Sequence, residues 1–208
     1  MNPRKRLLIS ALLGAILMTV GFIGTAFLIP GNGSPTEKDF TNFYASNGSV
    51  MLVFWSVIVL AAAGWCLVWF FNELRSRLPD GLLSKTAHSI ATVGIAALII
   101  GAGIESGPAG VQINSSTGSF VGIPVAHTFA QAGLSAMIEA GIFSLLVATV
   151  LFSIALKQSA LVPSWVPIFG YICALLMISS FILVGAFFFP VWLIVLGIVG
   201  VKQRTETA

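Results

Sequence analysis

Long apolar runs are the feature that most constrains how this chain can fold. Runs at residues 7–29, 50–71, 86–106 and 127–156 are each long enough to cross a bilayer as a helix, which takes about 20 residues. Charged residues make up only 8% of the 208 residues, and the mean hydropathy is +1.01, whereas a soluble domain carries about 25% charged residues. The sequence therefore predicts an integral membrane protein, whose first partner is the lipid bilayer.

The last apolar stretch, residues 165–201, is too long for one crossing. As a single helix its 37 residues would measure about 55 Å, against a hydrocarbon core of about 30 Å. We therefore expect two helices, at 165–185 and 187–202, with a turn near Gly185–Phe189 and Pro190 in the first turn of the second helix. The predicted fold is all-α: residues 1–208 form one polytopic transmembrane domain, a bundle of six spans.

The basic residues orient this bundle. With six spans and an inner N-terminus, nine of the ten Lys and Arg residues fall on one side of the membrane, and Lys38 falls on the other. Because basic residues accumulate on the cytoplasmic side of membrane proteins, both termini are predicted to be cytoplasmic. The net charge of +3 reflects these flanking residues and does not indicate a nucleic-acid partner.

Catalytic and cofactor motifs are missing from the sequence. The patterns H-E-x-x-H, G-x-S-x-G and the P-loop do not occur, and these are common signatures of metalloproteases, hydrolases and nucleotide-binding proteins. Every lysine flanks a span, and His88 and His127 belong to opposite ends of their spans, so neither a Schiff base nor a bis-histidine haem is expected. We predict no catalytic residue, no cofactor and no metal.

A polar stripe lies in the fourth apolar run. His127, Gln131, Ser135 and Glu139 recur every four residues, so they share one slowly turning side of a helix. Glu105 ends the third run, and the antiparallel arrangement places it at a depth similar to that of Glu139. We predict that these five residues are the ligand- or proton-binding group of an outward-facing polar pocket. The alternative is that Glu139 is a protonated carboxyl group that holds the bundle in register.

A stripe of small residues runs beside the polar one. Small residues let transmembrane helices approach closely, so this stripe is expected to contact the third span. The predicted contact joins Ala132, Ala136 and Ala140 to Gly94, Gly101 and Gly103.

Several segments together resemble a known group of proteins. They are NFYASNGS, CLVWFFNELRSRLPDG, the Gly-rich third run and PVWLIVLGIVG, with the match carried by Phe43–Tyr44, Trp69–Phe70 and residues 74–78. In these segments the chain resembles a family of uncharacterised bacterial six-helix integral membrane proteins. The resemblance implies a bacterial plasma membrane, and it supplies no activity.

Three classes of function remain open. The sequence favours a non-enzymatic accessory membrane protein that binds a small ligand, another membrane subunit or a second copy of itself through the polar pocket around Glu139. The alternative is a proton- or cation-coupled transporter, which is weakened because no span is broken near its middle and no polar path continues inward. A membrane enzyme using Glu139 or Glu105 as a base ranks last, since no nucleophile or cofactor motif accompanies them.

Overall fold

The computed structural model describes residues 2–30, 36–114, 122–179 and 184–201. Regular structure within these ranges is helical throughout. In chain order the elements are α1 (Pro3–Ala26), α2 (Glu37–Ala45), α3 (Asn47–Arg75), α4 (Leu82–Glu105), α5 (Gly107–Asn114), α6 (Ile123–Ser135), a π-helix (Ala136–Ile142), α7 (Phe143–Ser159), α8 (Trp165–Met177), a 3-10 helix (Val184–Phe187) and α9 (Phe188–Val199).

Four of these helical segments are long and apolar enough to cross a membrane. They are α1, α3, α4 and the continuous segment Pro124–Ser159, which we call the fourth segment. They match the first four predicted spans, so that part of the prediction is confirmed. The last two predicted spans are shorter apolar helices, Trp165–Met177 and Val184–Val199, so the six-span topology stays a proposal. Pro190 lies in the first turn of α9, as expected.

The helices form a closed ring. Contacts run from α1 to α3, then to α4, the fourth segment, α8 and α9, and α9 returns to α1. Phe187 packs on Phe22 and Phe27 at one end of α1, with ring centroids 6.0 and 6.4 Å apart. At the other end of α1, Gly200 lies against Arg4. The 3-10 helix and α9 together therefore extend along nearly the whole of α1.

Aromatic side chains fill the middle of the ring. Phe71 of α3 stacks on Phe152 of α7 at a centroid distance of 5.2 Å, and Trp192 of α9 lies 6.4 Å from Phe70. All four side chains are fully buried. Burial of aromatic side chains contributes most of the packing energy of a core, so this cluster ties α3, α7 and α9 together.

Two short helices cover one end of the ring. We call α2 and α5 the outer cap, where outer means only that it lies at the end away from the two described chain ends. These helices enclose a second apolar cluster that includes Phe40, Tyr44 and Val53. The cap begins with a capping box in which Thr36 donates to Asp39 through both its hydroxyl and its backbone N–H, each at 2.7 Å. These hydrogen bonds from Thr36 hold the pKa of Asp39 below its usual value.

Basic residues gather at the opposite end, which we call the basic end. Both described chain ends lie there, because the Arg77 guanidinium donates to the carbonyl oxygens of Pro3 and Val201. Of the eight basic residues in the described ranges, Lys38 lies in the outer cap and seven lie at the basic end: Arg4, Lys5, Arg6, Arg75, Arg77, Lys85 and Lys157.

Candidate functional site

The site is built on a close contact between α4 and the fourth segment. A methyl group at Gly101 would lie 2.7 Å from the carbonyl oxygen of Gly133 and 2.8 Å from the backbone nitrogen of Met137. Further inward, a methyl group at Gly141 would lie 2.8 Å from Leu98. The two backbones therefore touch directly. We call this contact the glycine seam.

The seam confirms the predicted helix pairing and corrects the predicted face. Gly94 and Gly101 make the contact as expected, but a side chain added at Gly103 would meet nothing within 4 Å. On the fourth segment the contact is made by Gly133, Met137 and Gly141. The prediction that the alanine stripe makes this contact was wrong, because Ala132 and Ala140 are exposed and Ala136 is half-buried. Glycine permits a closer approach than alanine, so the glycines occupy the seam.

A π-helix, residues 136–142, lies in the middle of the fourth segment. In an α-helix, positions four residues apart drift slowly around the axis. The i→i+5 bonds of a π-helix widen the turn beyond four residues. On either side of this turn, Gly133, Met137 and Gly141 contact α4, while Ser135 and Glu139 are exposed.

Glu105 closes the outer end of the seam. Its side chain is 1% exposed and packs against Gly133, and its Oε2 atom has no hydrogen-bond partner within the described residues. Tyr44 of the outer cap is also buried. Burial, assisted by the charge of Glu105, raises the pKa of Tyr44 to about 12. Glu105 is thus enclosed by protein.

Glu139, in contrast to Glu105, lies on the surface of the bundle. It belongs to the π-helix and is exposed on the outside of the bundle. Its neighbours along the chain, Met137 and Gly141, lie against Gly101 and Leu98 of α4. Glu139 is therefore level with the part of α4 between Leu98 and Gly101, about 8 Å from Glu105 along the helix axis, toward the basic end. This carboxyl group is exposed on a segment that is long and apolar enough to cross a membrane.

The remaining predicted residues follow the same exposed side. His127 is exposed and meets the ring of Phe40 in the outer cap edge-to-face at 5.8 Å. Gln131 is half-buried and Ser135 is exposed. The stripe therefore begins beside the outer cap and ends at Glu139 on an open surface.

The structure separates the two carboxyl groups that the sequence suggested were neighbours. Glu105 faces the packed interior, whereas Glu139 faces outward. Within the described residues, the two groups therefore do not face one outward-facing pocket, as the sequence had led us to expect. A binding role for Glu105, Gln131, Glu139 and their neighbours in the stripe stays a prediction.

Two features of this chain had no sequence signal that we could recognise. The π-helical turn under Glu139 comes from a stretch, AMIEAGI, whose composition is ordinary for a membrane helix. The bonds of Arg77 reach residues 74 and 124 positions away, and the sequence treats Arg77 as one of several basic residues at the end of a span. Comparison with known proteins adds no family: the chain matches no protein-family model, no curated protein and no solved structure.

Proposed function

We propose that this protein is a non-enzymatic accessory subunit that binds a helix of a partner protein within the bilayer. The binding surface is the outward side of the fourth segment, which we call the outward face and define by the exposed residues Ala132, Ser135, Glu139 and Ala140. The observation that carries the proposal is the exposure of Glu139 on a π-helical turn well inside a membrane-spanning segment.

The cost of an exposed carboxyl group explains why a partner is needed. An acidic residue at the centre of a membrane-spanning helix costs about 2.5–3.5 kcal/mol on insertion scales, and ionisable residues within such helices mark functional positions. A partner helix that places a hydrogen-bond donor opposite Glu139 would remove this cost. Ala132 and Ala140 carry only a methyl group each, so they let a second backbone approach the carboxyl group closely.

The π-helix supports the same interpretation. Single π-helical turns inside α-helices are uncommon and occur often at functional sites. Here the turn carries Glu139, and Ser135 lies four residues before it and is also exposed. A straight partner helix could contact both side chains at once.

The charges of the chain point to a different protein as the partner. Seven of the eight basic residues in the described ranges lie at the basic end, and Lys38 lies in the outer cap. Lys157, on the same segment as Glu139, is 18 residues away, which is about 27 Å along a helix. A second copy would oppose Glu139 with another carboxyl group. We therefore propose a partner that carries Lys, Arg, His or an amide side chain at this depth.

The proposed setting is a bacterial plasma membrane, with six crossings and cytoplasmic termini. Its supports are the closed ring, in which the two shorter helices complete the wall, and the location of both described chain ends at the basic end. Basic residues accumulate on the cytoplasmic side of such proteins. Labelling of a cysteine introduced at position 206 from outside intact cells would contradict this orientation.

A proton- or cation-coupled transporter is the second candidate. It is favoured by the buried Glu105, whose Oε2 atom has no hydrogen-bond partner among the described residues. It is weakened by the apolar side chains that lie buried inward of Glu105, which include Leu98, Met137 and Ile142. The Thr25 hydroxyl lies beside Met137 but donates to the backbone carbonyl oxygen of Gly21. Proton flux into liposomes that disappears in Glu105→Gln would establish this function and replace the first proposal.

The partner is tested by purification from native membranes in a mild detergent. We expect one stoichiometric partner with the wild type and with Glu139→Gln, which keeps hydrogen bonding, and loss of this partner with Glu139→Leu. Val147→Leu, a change at an exposed position of the same segment, is the matched control and should keep the partner.

The identity of the partner supplies the decisive control. It should carry a donor side chain in the outer half of a spanning helix, and replacement of that side chain by Leu should reproduce the loss. Retention of the partner by Glu139→Leu, or self-association alone, would contradict the proposal.

A further inference from the structure

A cavity opens at the basic end, far from the outward face. Its volume is about 360 Å³, and it lies between the start of α1 and the end of α9. Two arginines line it, Arg4 and Arg77, together with Asn2 and Gly200. Gly200 has a φ of 70° and no side chain, so among the described residues the end of α9 adds no side chain to the space at this position.

Arg77 forms a buried wall of this cavity. The residue is 4% exposed. Its Nη1 atom donates to the Val201 carbonyl oxygen at 2.8 Å, and its Nη2 atom donates to the Pro3 carbonyl oxygen and to Glu73 Oε1. Its Nε–H has no hydrogen-bond partner within the part of the chain that the structure describes. A buried donor without a partner costs free energy, and Arg77 is one of the residues that line the cavity.

The surroundings of the cavity are positively charged. Arg4 is exposed and borders the cavity beside Gly200. The N-terminus of α1, a helix of 24 residues, begins at the cavity and adds the positive end of the helix dipole. Glu73 pairs with Arg77 at 2.7 Å and offsets one of these charges. Two guanidinium groups and a helix N-terminus outweigh one carboxylate, so the site favours an anion.

We propose that this cavity binds a phosphate group. Guanidinium groups present parallel donors that match phosphate oxygens, and helix N-termini bind phosphate through the same polarity. The group belongs either to the headgroup of an anionic phospholipid or to free inorganic phosphate. This inference is independent of the partner proposed for Glu139, because the cavity lies at the other end of the bundle.

Thermal unfolding of the purified full chain in a neutral detergent provides the test. The probes are inorganic phosphate, phosphatidylglycerol and zwitterionic phosphatidylcholine, each titrated separately, with bound lipids counted by native mass spectrometry. We expect phosphatidylglycerol or inorganic phosphate to raise the unfolding temperature. Stabilisation by the lipid alone would assign a headgroup, and equal stabilisation by inorganic phosphate would assign the free ion.

Arg4→Gln is the test variant, and Lys5→Gln is its matched control. Both remove one exposed charge from the first turn of α1, but Lys5 does not line the cavity. Arg4→Gln should weaken binding at least about tenfold, because a hydrogen bond to a charged group is lost. Lys5→Gln should leave the affinity within about twofold, because a distant exposed charge contributes little. Arg4→Lys should restore part of the loss. Arg77 is not substituted because it donates hydrogen bonds to both described chain ends, at Pro3 and Val201.

Two results would overturn the inference. An absence of stabilisation by both phosphate and phosphatidylglycerol would show that the cavity binds no phosphate group. Equal loss of affinity in Arg4→Gln and Lys5→Gln would show that diffuse surface charge, and not the cavity, attracts the anion.

Discussion

The two sides of the fourth segment differ in what their residues do. On one side Gly133, Met137 and Gly141 bring the backbone into contact with α4. On the other, Ser135 and Glu139 point away from the bundle. The packed side binds the chain to itself and leaves no space for a ligand. The outward side carries the hydroxyl group of Ser135 and the carboxyl group of Glu139, both exposed. This side is therefore the candidate binding surface.

The largest expected effect is on the packed side. Gly133→Ala places a methyl group against the Glu105 backbone nitrogen and 2.5 Å from the carbonyl oxygen of Gly101, so the helices must separate. We expect a loss of about 3 kcal/mol in the free energy of unfolding, the upper part of the usual overpacking range. Gly103→Ala is the matched control, because nothing lies within 4 Å of its added methyl group. Equal stability of the two variants, measured by denaturation in detergent, would contradict the seam.

The second effect concerns the outer end of the packed side and depends on pH. The pKa of Tyr44 rises from 10.0 to about 12 on folding. Its phenol therefore ionises first in the unfolded chain, and its contribution to stability is complete below pH 10 and is lost between pH 10 and pH 12. By pH 12 the wild type should lose about 2 kcal/mol relative to Tyr44→Phe. If the free energy of unfolding changed equally with pH in the wild type and in Tyr44→Phe, Tyr44 would not be enclosed beside Glu105.

A smaller effect of opposite sign is expected at Glu105. A buried polar group without a hydrogen-bond partner costs about 1–3 kcal/mol, and Oε2 of Glu105 has no hydrogen-bond partner in the described ranges. Glu105→Met removes this cost and should therefore raise the free energy of unfolding by about 1 kcal/mol. Glu73→Met is the control and should lower it, because Glu73 accepts a hydrogen bond from the buried Arg77 at 2.7 Å. Strong destabilisation by Glu105→Met would mean that the carboxyl group supports the seam.

The smallest effect on stability is expected at Glu139. Because its side chain is exposed, Glu139→Leu should change the free energy of unfolding of the isolated protein by less than about 0.5 kcal/mol. Denaturation in the same detergent measures this. A loss above about 1 kcal/mol would favour the other interpretation of Glu139, a group that holds the bundle in register.

Much of the fold follows from the lengths of the apolar runs. The first four spans were predicted within a few residues, because a helix must bury its backbone polar groups across the whole hydrocarbon core. The glycines of α4 also identified its neighbour correctly at Gly94 and Gly101. The predicted bounds of the last two helices, 165–185 and 187–202, stay a prediction, because residues 180–183 and 202 lie outside the described residues.

The candidate site was harder to predict because two stripes run side by side. Ala132, Ala136 and Ala140 have the same four-residue spacing as Gly133, Met137 and Gly141, so spacing alone does not show which stripe faces inward. That choice also decides whether Glu139 points into the bundle or out of it. The structure settles the orientation of both stripes, through the closer approach that glycine allows.

The most direct test of the account is site-specific photo-crosslinking in native membranes. A photoreactive residue is placed at Ala140 on the outward face, and at Val93, which is 60% exposed on α4, as a control. We expect one heavier protein band from position 140 and none from position 93. The band should persist in Glu139→Gln and vanish in Glu139→Leu, and mass spectrometry should place its crosslink on a helix with a donor side chain at this depth. Crosslinking to lipid alone, or a band that survives Glu139→Leu, would contradict the claim that Glu139 receives a partner helix.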